Sequence, residues 1–496
     1  MRKRILVGLV GVGLAGAFGA QGCGGGATGT TSGTGGTGTS ASTTHTGAST
    51  SVVTSSATGT GGAAGGHSFA TAAPIDFGAA ASGDLSPTGA VDYYSFTGTA
   101  GQAVGIFIQA QGSAHAFSST WIDTVITLYD SNQHQIAENN DALPRRSGDS
   151  ELFTILPADG AYYVRVEECW TWASNPSGSC LGKADKDSTT YSLSIAKVDP
   201  TKNGNIKDKE PGNDPTKATP LTYAKSSTGS YYLSVVYGSF TAASDIDVFS
   251  FTVPADAVMV PPGARGVVSF WPMPASASGN GSTTPIGKMY VTDTLDPTKH
   301  LAELSGTDYV TQGTGRMWPP LDLTKKYLLW VEHPASAAGA NDFYFVLNGQ
   351  GASNPVETNE AANDKLTTPE MPTDAPDMNG GHHYYVDGDL INNAMDVDHW
   401  QVSAGTATQI AVSCAAQRGG SGVRGFTIDV IDPATAMNDA GPINKVGTVT
   451  ESATMDAFLP YTAIPGGATK LVVKLSATSQ DPVVTGTFYH CGIHLK

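Results

Sequence analysis

Two groups of acidic and amide side chains are candidates for binding a cation. Each group combines an entrance motif with a later Asp-x-Asp pair: Glu210, Asn213, Asp214, Asp245 and Asp247 in one, and Glu357, Asn359, Asp396 and Asp398 in the other. Alternate residues of an extended segment point the same way, so both carboxylates of a pair can reach one ion. Calcium takes about six to eight oxygen ligands, and carboxylate and amide oxygens suit it. The alternative is that these residues cap turns.

Cysteines form the second set of chemically informative residues. Cys169 and Cys180 flank a short insertion, Cys414 follows a predicted strand, and Cys491 lies in the last one. We expect the pairs Cys169–Cys180 and Cys414–Cys491, because an oxidising compartment favours disulfides. The second pair closes the longer loop and is expected to stabilise the protein by on the order of 4 kcal/mol.

Trp170 and Trp172 lie in the insertion between the first two cysteines. Tryptophans on a rigid, exposed loop can stack on a sugar or fill a partner's pocket, which makes both residues candidate binding residues. The alternative, which the sequence favours, is that they fold back over the end of their domain. His382 and His383 are adjacent in a predicted strand and point to opposite faces, so they are not expected to share a metal ion.

No catalytic motif is found in its required context. The sequence has no nucleophile elbow, zinc-protease helix motif or phosphate loop. It also lacks a Cys-x-x-Cys pair and a histidine cluster with zinc spacing. A triad assembled from distant residues is not visible in a sequence, so an enzyme stays open as an alternative.

The predicted strands that position the acidic residues occur in three similar copies along the chain. A strand that starts with aspartate and alternates large apolar residues spans 92–96, 247–251 and 398–402. This alternation predicts strands with one buried face. The copies lie about 150 residues apart, which is the size of a domain. Each copy is preceded by a glycine-led strand and followed by further short strands between turns, which predicts β-sandwiches.

The first copy carries the most specific motifs, Leu-Tyr-Asp-Ser-Asn at 128–132 and Leu-Pro-Ala-Asp-Gly-Ala-Tyr-Tyr-Val-Arg-Val at 156–166. These motifs resemble the pre-peptidase C-terminal domain, a jelly-roll-like β-sandwich of secreted bacterial proteins. The resemblance implies an all-β chain of three tandem jelly-roll-like sandwiches at 67–198, 199–348 and 349–496. Residues 199–209 are expected to be a polar linker within the second range, and residues 349–356 a short joint within the third.

The resemblance also implies that the entrance motif meets the Asp-x-Asp pair and binds calcium in the second and third copies. The first copy has Ala90 in place of the first aspartate. We therefore expect no such ion in the first copy.

The N-terminal residues predict export. Residues 1–22 combine a basic start with an apolar stretch, as in a signal peptide. Ala20-Gln21-Gly22-Cys23 resembles a lipobox, which implies cleavage before Cys23 and lipidation of its sulfur. The alternative is ordinary signal cleavage beside an incidental cysteine. After Cys23, the rest of the 23–66 segment is almost wholly Gly, Ser, Thr and Ala, which predicts a disordered tether.

Charge narrows the range of partners. The net charge is −17, from 44 acidic and 27 basic residues, and no basic patch is visible, which disfavours nucleic acid. We expect a non-enzymatic lipoprotein, exported and anchored to the cell envelope at the outer membrane or cell surface. Its expected partners are the lipid membrane, through the acyl anchor, and a glycan or extracellular protein bound by tandem modules. The alternatives are an envelope-polymer hydrolase with a loop-borne site and a purely structural spacer.

Overall fold

The computed structural model describes most of the chain after the tether. The described residues are 65–110, 122–140, 149–174, 180, 188–210, 212–225, 232–254, 265–273, 281–284, 286–293, 295–305, 317–334, 339, 341–350, 357, 363–374, 382–390, 396–434, 445–452 and 455–496. The predicted signal peptide, Cys23 and all but the last two residues of the predicted tether lie outside them, as does Asn359.

Unit 1, residues 73–197, is a sandwich of two sheets. Its strands are β1 (Ala73–Pro74), β2 (Ala80–Asp84), β3 (Asp92–Gly98), β4 (Ala103–Gln109), β5 (Thr124–Tyr129), β6 (Gln135–Asn139), β7 (Glu151–Ile155), β8 (Gly160–Glu168) and β9 (Thr190–Lys197). The sheet orders are β1-β3-β8-β5-β6 and β2-β9-β4-β7. Alternate residues of β3 point inward, so Tyr94 and Phe96 are buried between the sheets as the alternation predicts.

Unit 2, residues 205–350, repeats the two-sheet plan. Its strands are β10 (Asn205–Lys207), β11 (Thr219–Pro220), β12 (Ala224–Lys225), β13 (Tyr232–Ser239), β14 (Ile246–Thr252), β15 (Arg265–Val267), β16 (Ser269–Met273), β17 (Lys288–Thr292), β18 (Ala302–Ser305), β19 (Pro320–Asp322), β20 (Lys326–Glu332) and β21 (Phe343–Gln350). The sheet orders are β10-β13-β21-β16, with β12 also on β13, and β11-β14-β20-β17-β18; β15 pairs with β19. Because β10 pairs in parallel with β13, the predicted linker contributes an edge strand.

Unit 3, residues 382–495, is built from two four-stranded sheets and a short pair. Its strands are β22 (His382–Asp389), β23 (Val397–Ser403), β24 (Gln409–Ala415), β25 (Val423–Arg424), β26 (Thr427–Ile431), β27 (Lys445–Thr450), β28 (Ala457–Ala463), β29 (Lys470–Ser476), β30 (Ser479–Gln480) and β31 (Phe488–Leu495). The sheet orders are β22-β31-β24-β28 and β23-β29-β26-β27, with β25 on β30. The three units confirm the predicted all-β, tandem sandwich fold.

A short entrance segment precedes the central strand of each unit. It pairs in parallel with that strand through β1 on β3, β11 on β14, and a single bridge from Glu370 to Trp400. A proline lies in or beside each pairing, at Pro74, Pro220 and Pro369. Proline lacks an N–H and fits such an edge position. This repeated element was not recognised in the sequence.

Helical structure among the described residues is confined to short turns. One α-helical turn, α1, spans Cys169–Trp172, and 3-10 turns span Phe69–Thr71, Pro215–Lys217 and Gln417–Gly419. No helix in these ranges is both long and apolar enough to cross a membrane. Both predicted disulfides are present: Cys169 bonds Cys180, and Cys414 bonds Cys491.

Units 1 and 2 meet through apolar sheet faces. The outer face of the β4-containing sheet packs on the outer face of the β13-containing sheet, so both strands are buried on two sides. Phe345 lies at the centre, fully buried, with ring centroids 5.6 Å from Phe153 of unit 1 and 5.5 Å from Tyr237 of its own unit. The Tyr237 hydroxyl also donates to the carbonyl of Val198 at 3.2 Å.

Units 2 and 3 meet through a more polar surface. The backbone N–H of Trp318 donates to the Gly419 carbonyl at 3.0 Å, and the centroids of the Trp318 and His490 rings lie 4.8 Å apart. Arg265 of unit 2 forms an ion pair with Asp389 of unit 3. Phe488 of unit 3 packs into the core of unit 2. Consecutive units are thus joined by buried contacts in both cases.

Candidate cation sites

In every unit, a glycine is paired with a tyrosine of the adjacent antiparallel strand at the equivalent position of the sandwich. The directly paired residues are Gly83 with Tyr191, Gly238 with Tyr344, and Gly388 with Tyr489. A Cβ on any of these glycines would come within 2.6 Å of the tyrosine hydroxyl oxygen. Glycine is therefore required, because it leaves the space that the tyrosine ring crosses.

The tyrosine hydroxyl reaches the first aspartate of the repeated central motif. Tyr191 donates to Asp92 Oδ2 at 2.6 Å, and Tyr344 donates to Asp247 Oδ2 at 2.8 Å. In unit 3 the Tyr489 hydroxyl accepts the Nε1–H of Trp400 at 2.8 Å and lies beside Asp398. The repeated sandwich thus buries one aspartate carboxylate at the equivalent position in all three units.

Unit 2 adds two carboxylates to its buried aspartate. Asp208, Glu210 and Asp247 each offer an oxygen, and these three atoms lie within 4.8 Å of one another. Asp208 and Glu210 follow the edge strand β10 at alternate positions, which turns both side chains toward the central strand. The sequence interpretation found Glu210 and Asp247 but missed Asp208, although the alternating pair Asp208 and Glu210 carried that signal.

The other predicted residues of unit 2 serve the surrounding turns. Asp245 accepts the Thr241 N–H at 2.7 Å through Oδ2 and the Ile246 N–H at 3.1 Å through Oδ1. The Asn213 amide, in the orientation that satisfies its hydrogen bonds, donates to Asp245 Oδ1 at 3.0 Å. Asp214 caps the Pro215–Lys217 turn and is not part of the group of three carboxylates.

Unit 3 gathers a second group of carboxylates. Oxygens of Asp364, Asp396 and Asp398 lie within 4.8 Å of one another. Glu357 accepts the Asn363 side-chain amide at 2.5 Å and the Asp389 N–H at 3.1 Å. The structure therefore joins Asp396 and Asp398 as predicted and adds Asp364, which sequence reasoning missed because it belongs to neither the entrance motif nor the Asp-x-Asp pair.

Unit 1 has a different neighbour at this position. Asp92 is 2% exposed, and its Oδ1 lies 3.7 Å from Nδ1 of His67. Gly65 and Gly66, at the end of the predicted tether, lie against Asp92 and Tyr93, and the backbones of Gly66 and Tyr93 exchange two hydrogen bonds. In unit 1 this end of the tether occupies the place beside the central aspartate.

The two groups of carboxylates have strongly perturbed acidities. Burial, and then the nearby charge of Asp208, raise the pKa of Asp247 well above its ordinary value. Burial, and then the charge of Glu357, raise the pKa of Asp398 in the same direction. Burial is also the first cause of the raised pKa of Asp208. A cation at either group would offset both the lost hydration and the mutual repulsion.

The residues present fit a hard cation. Asp247 and Asp398 have no exposed surface. Asp247 Oδ1 and both oxygens of Asp208 and Asp398 are buried and accept no hydrogen bond. A Cβ on Gly212 would approach within 2.4 Å of Asp247 Oδ1, so the backbone there closes over the group. Buried carboxylate oxygens without donors are the ligands that calcium takes.

These acidities predict how stability depends on pH when the protein is free of metal. A carboxyl group with a raised folded-state pKa holds its proton better in the folded than in the unfolded chain. The stability it contributes is complete below the unfolded value of about 3.9 and is lost as pH rises through the folded value. In excess chelator, we expect the melting temperature to fall steadily from pH 5 to pH 8. Millimolar calcium is expected to reduce this fall, whereas a melting temperature that rises with pH in chelator would contradict the raised pKa values.

A third close group cannot serve as a metal site as it stands. Asp123 lies near Cys169 and Cys180, but those two sulfurs are bonded to each other. The two tryptophans of this insertion, Trp170 and Trp172, both lie in α1 and are half-buried. Trp172 Nε1–H donates to Glu138 Oε2 at 3.3 Å, which holds its ring toward strand β6.

Comparison with known proteins finds a family match within unit 1. Residues 90–168 match the model of the bacterial pre-peptidase C-terminal domain. A probable subtilase-type serine protease from Deinococcus radiodurans is 37% identical over 79 residues, which is 16% of this chain and 10% of the protease. The chain therefore spans only a small part of that relative's length.

Two solved structures share a low overall similarity with the chain. A putative secreted protein from Eubacterium rectale is 12% identical, with 58% of this chain and 81% of that chain covered and a TM-score of 0.17. Tandem CBM51 modules of a family 98 glycoside hydrolase from Streptococcus pneumoniae are 9% identical, with 53% and 83% covered and a TM-score of 0.16.

The fold and the family match together define the class of the chain. It is a tandem β-sandwich protein. Within its first unit, residues 90–168 match the pre-peptidase C-terminal domain, the family that the sequence motifs resemble.

Proposed function

We propose that the chain is an exported, non-enzymatic binding and display protein of the bacterial cell envelope, anchored through a lipidated Cys23. The observation that supports this most is the buried contact between consecutive units, apolar between units 1 and 2 and polar between units 2 and 3. Such contacts hold the loops of three modules at fixed relative positions. An array of weak modules on one anchor gains avidity for a repetitive surface.

Calcium is the proposed ion of units 2 and 3. Asp208, Glu210 and Asp247 would hold it in unit 2, and Asp364, Asp396 and Asp398 in unit 3. When bound, the ion would neutralise the carboxylates and fix the entrance segment of each unit on its central strand. The fit rests on the buried oxygens that accept no hydrogen bond.

A glycan of the envelope or extracellular matrix is the proposed ligand class, with an extracellular protein as the other partner. The half-buried Trp170 and Trp172 beside the Cys169–Cys180 disulfide support a surface on which a sugar ring can stack. The carboxylate of Glu138 already orients the Trp172 indole, and it can also accept a hydrogen bond from a sugar hydroxyl.

The test combines binding and turnover on the same polymers. The calcium-loaded full chain is applied to immobilised envelope polysaccharides and to a glycan array, and soluble reducing ends are measured in parallel. We expect saturable binding that Trp172→Ala weakens and Phe458→Ala, a change at an exposed aromatic in unit 3, does not. Release of reducing ends would favour the hydrolase alternative, and neither binding nor turnover would leave only a spacer.

A further inference from the structure

Among the described residues, two residues of unit 2 form most of the backbone hydrogen bonds between units 2 and 3. The His300 N–H donates to the Val483 carbonyl at 3.3 Å, and the His300 carbonyl accepts the Thr485 N–H at 2.7 Å and its hydroxyl at 3.0 Å. The Glu303 N–H donates to the Gly420 carbonyl at 2.9 Å. His300 and Glu303 therefore connect unit 2 to two separate loops of unit 3.

The side chains of the same two residues form an ion pair in which the ring is buried and the carboxylate is partly buried. His300 Nδ1 lies 2.5 Å from Glu303 Oε2, and His300 Nε2 lies 2.7 Å from the Pro297 carbonyl oxygen. The ring stacks on Tyr290 with a centroid distance of 4.0 Å, and His300 is only 3% exposed. A carboxylate and a carbonyl can only accept, so both ring nitrogens must donate, and the ring in this geometry is an imidazolium.

The neighbouring charges keep the partner carboxylate of Glu303 ionised. Burial alone would raise the pKa of Glu303, but the hydrogen bond from His300 and the charge of Lys288 hold it below its ordinary value. Glu303 therefore stays ionised opposite the ring. The other titratable or charged groups around the pair are Asp296, Tyr290, Glu332, and Asp481 of unit 3 with its partner Arg424.

We propose that the joint between units 2 and 3 is pH-sensitive, closed while His300 is an imidazolium and loosened when it loses its proton. A neutral ring can donate from only one nitrogen, so the other would place a lone pair against Glu303 or against the Pro297 carbonyl. Either loss frees the ring whose backbone binds Val483 and Thr485. This inference does not depend on calcium or on the proposed binding function.

Hydrogen exchange of the full chain tests the joint directly. Protection of the amides of His300, Glu303 and Thr485, corrected for intrinsic exchange rates, is measured at pH 5.5 and 8.5, both in calcium and in chelator. Loss of one charge-assisted hydrogen bond corresponds to a decrease in protection of roughly tenfold or more. Amides of the unit 3 core, such as Val473, should keep their protection at both pH values.

Variants separate His300 from other histidines. His300→Gln is expected to show low protection at both pH values, and Glu303→Gln to loosen the joint at a lower pH than the wild type. His382→Gln is the control, because His382 pairs with Asp374 at 2.5 Å, away from these bonds. His490, which meets Trp318 across the same joint, is the competing source of pH sensitivity. Unchanged wild-type protection across this pH range, or wild-type pH dependence in His300→Gln, would overturn the proposal.

Discussion

Replacing Phe345 with alanine is expected to lower the free energy of unfolding by about 3–5 kcal/mol, the usual cost of a buried Phe→Ala change. Phe345 is fully buried, and its ring contacts Phe153 of unit 1 and Tyr237 and Phe343 of unit 2. Alanine would leave a cavity between two sheet faces that cannot collapse without moving a whole unit. The loss therefore falls on the contact between units as well as on unit 2.

Calorimetry and tryptophan emission would measure this effect. Trp271 lies 3% exposed in the same interface, so its emission reports water entry between the units. We expect the variant to separate the unfolding of units 1 and 2 and to red-shift the emission before global unfolding. Phe458→Ala, at a residue 46% exposed, is the control and is expected to change stability by less than about 0.5 kcal/mol. A loss below 1 kcal/mol for Phe345→Ala would show that the units do not depend on this contact.

Replacing Asp398 with asparagine is expected to have opposite effects with and without calcium. In chelator the variant should be more stable than the wild type by about 1–3 kcal/mol, because the folded wild type must either keep a proton on the buried Asp398 carboxyl or bury its charge, and the amide avoids both costs. Glu357 lies near enough to accept a hydrogen bond from the new amide. In calcium the variant should lose the stabilisation that ion binding gives unit 3.

Asparagine substitutions at the equivalent aspartates, Asp247 in unit 2 and Asp92 in unit 1, provide comparisons for Asp398→Asn. Asp247→Asn is expected to behave alike in unit 2, because Tyr344 can still donate to the amide oxygen. Asp92→Asn should leave the response to calcium unchanged, since Asp92 belongs to neither group of three carboxylates. If Asp398→Asn destabilises the protein equally in chelator and in calcium, the carboxylate serves the fold and not an ion.

Much of the fold was predictable because the strands of the repeated sandwich follow from local sequence patterns. The alternation in 92–96 and the turn residues between short strands predict sandwiches, and the structure has them. The contact between units 1 and 2 was missed, although Phe343–Leu347 is apolar at every position. A strand buried on one face alternates, so this continuous run was the signal that both faces are covered.

The candidate sites were predictable only in part. Glu210, Asp247, Asp396 and Asp398 were found because they belong to short motifs whose spacing suits an ion. Asp208 and Asp364 were missed because they belong to neither the entrance motifs nor the Asp-x-Asp pairs, and their segments are placed by parallel pairing with later strands. The glycine–tyrosine pairs were visible as repeated letters, but their contact with aspartate follows from register, which a single sequence does not fix.

The central claim is that one sandwich unit occurs three times and that two of its copies, units 2 and 3, bind an ion. Calcium binding by the full chain, measured at neutral pH after chelator treatment, tests this most directly. Isothermal titration is expected to give two ions per chain, one for each group of carboxylates in units 2 and 3. Asp247→Asn and Asp398→Asn should each remove one ion, and Asp92→Asn should remove none. No binding by the wild type, or two ions still bound by the Asp247→Asn, Asp398→Asn double variant, would contradict it.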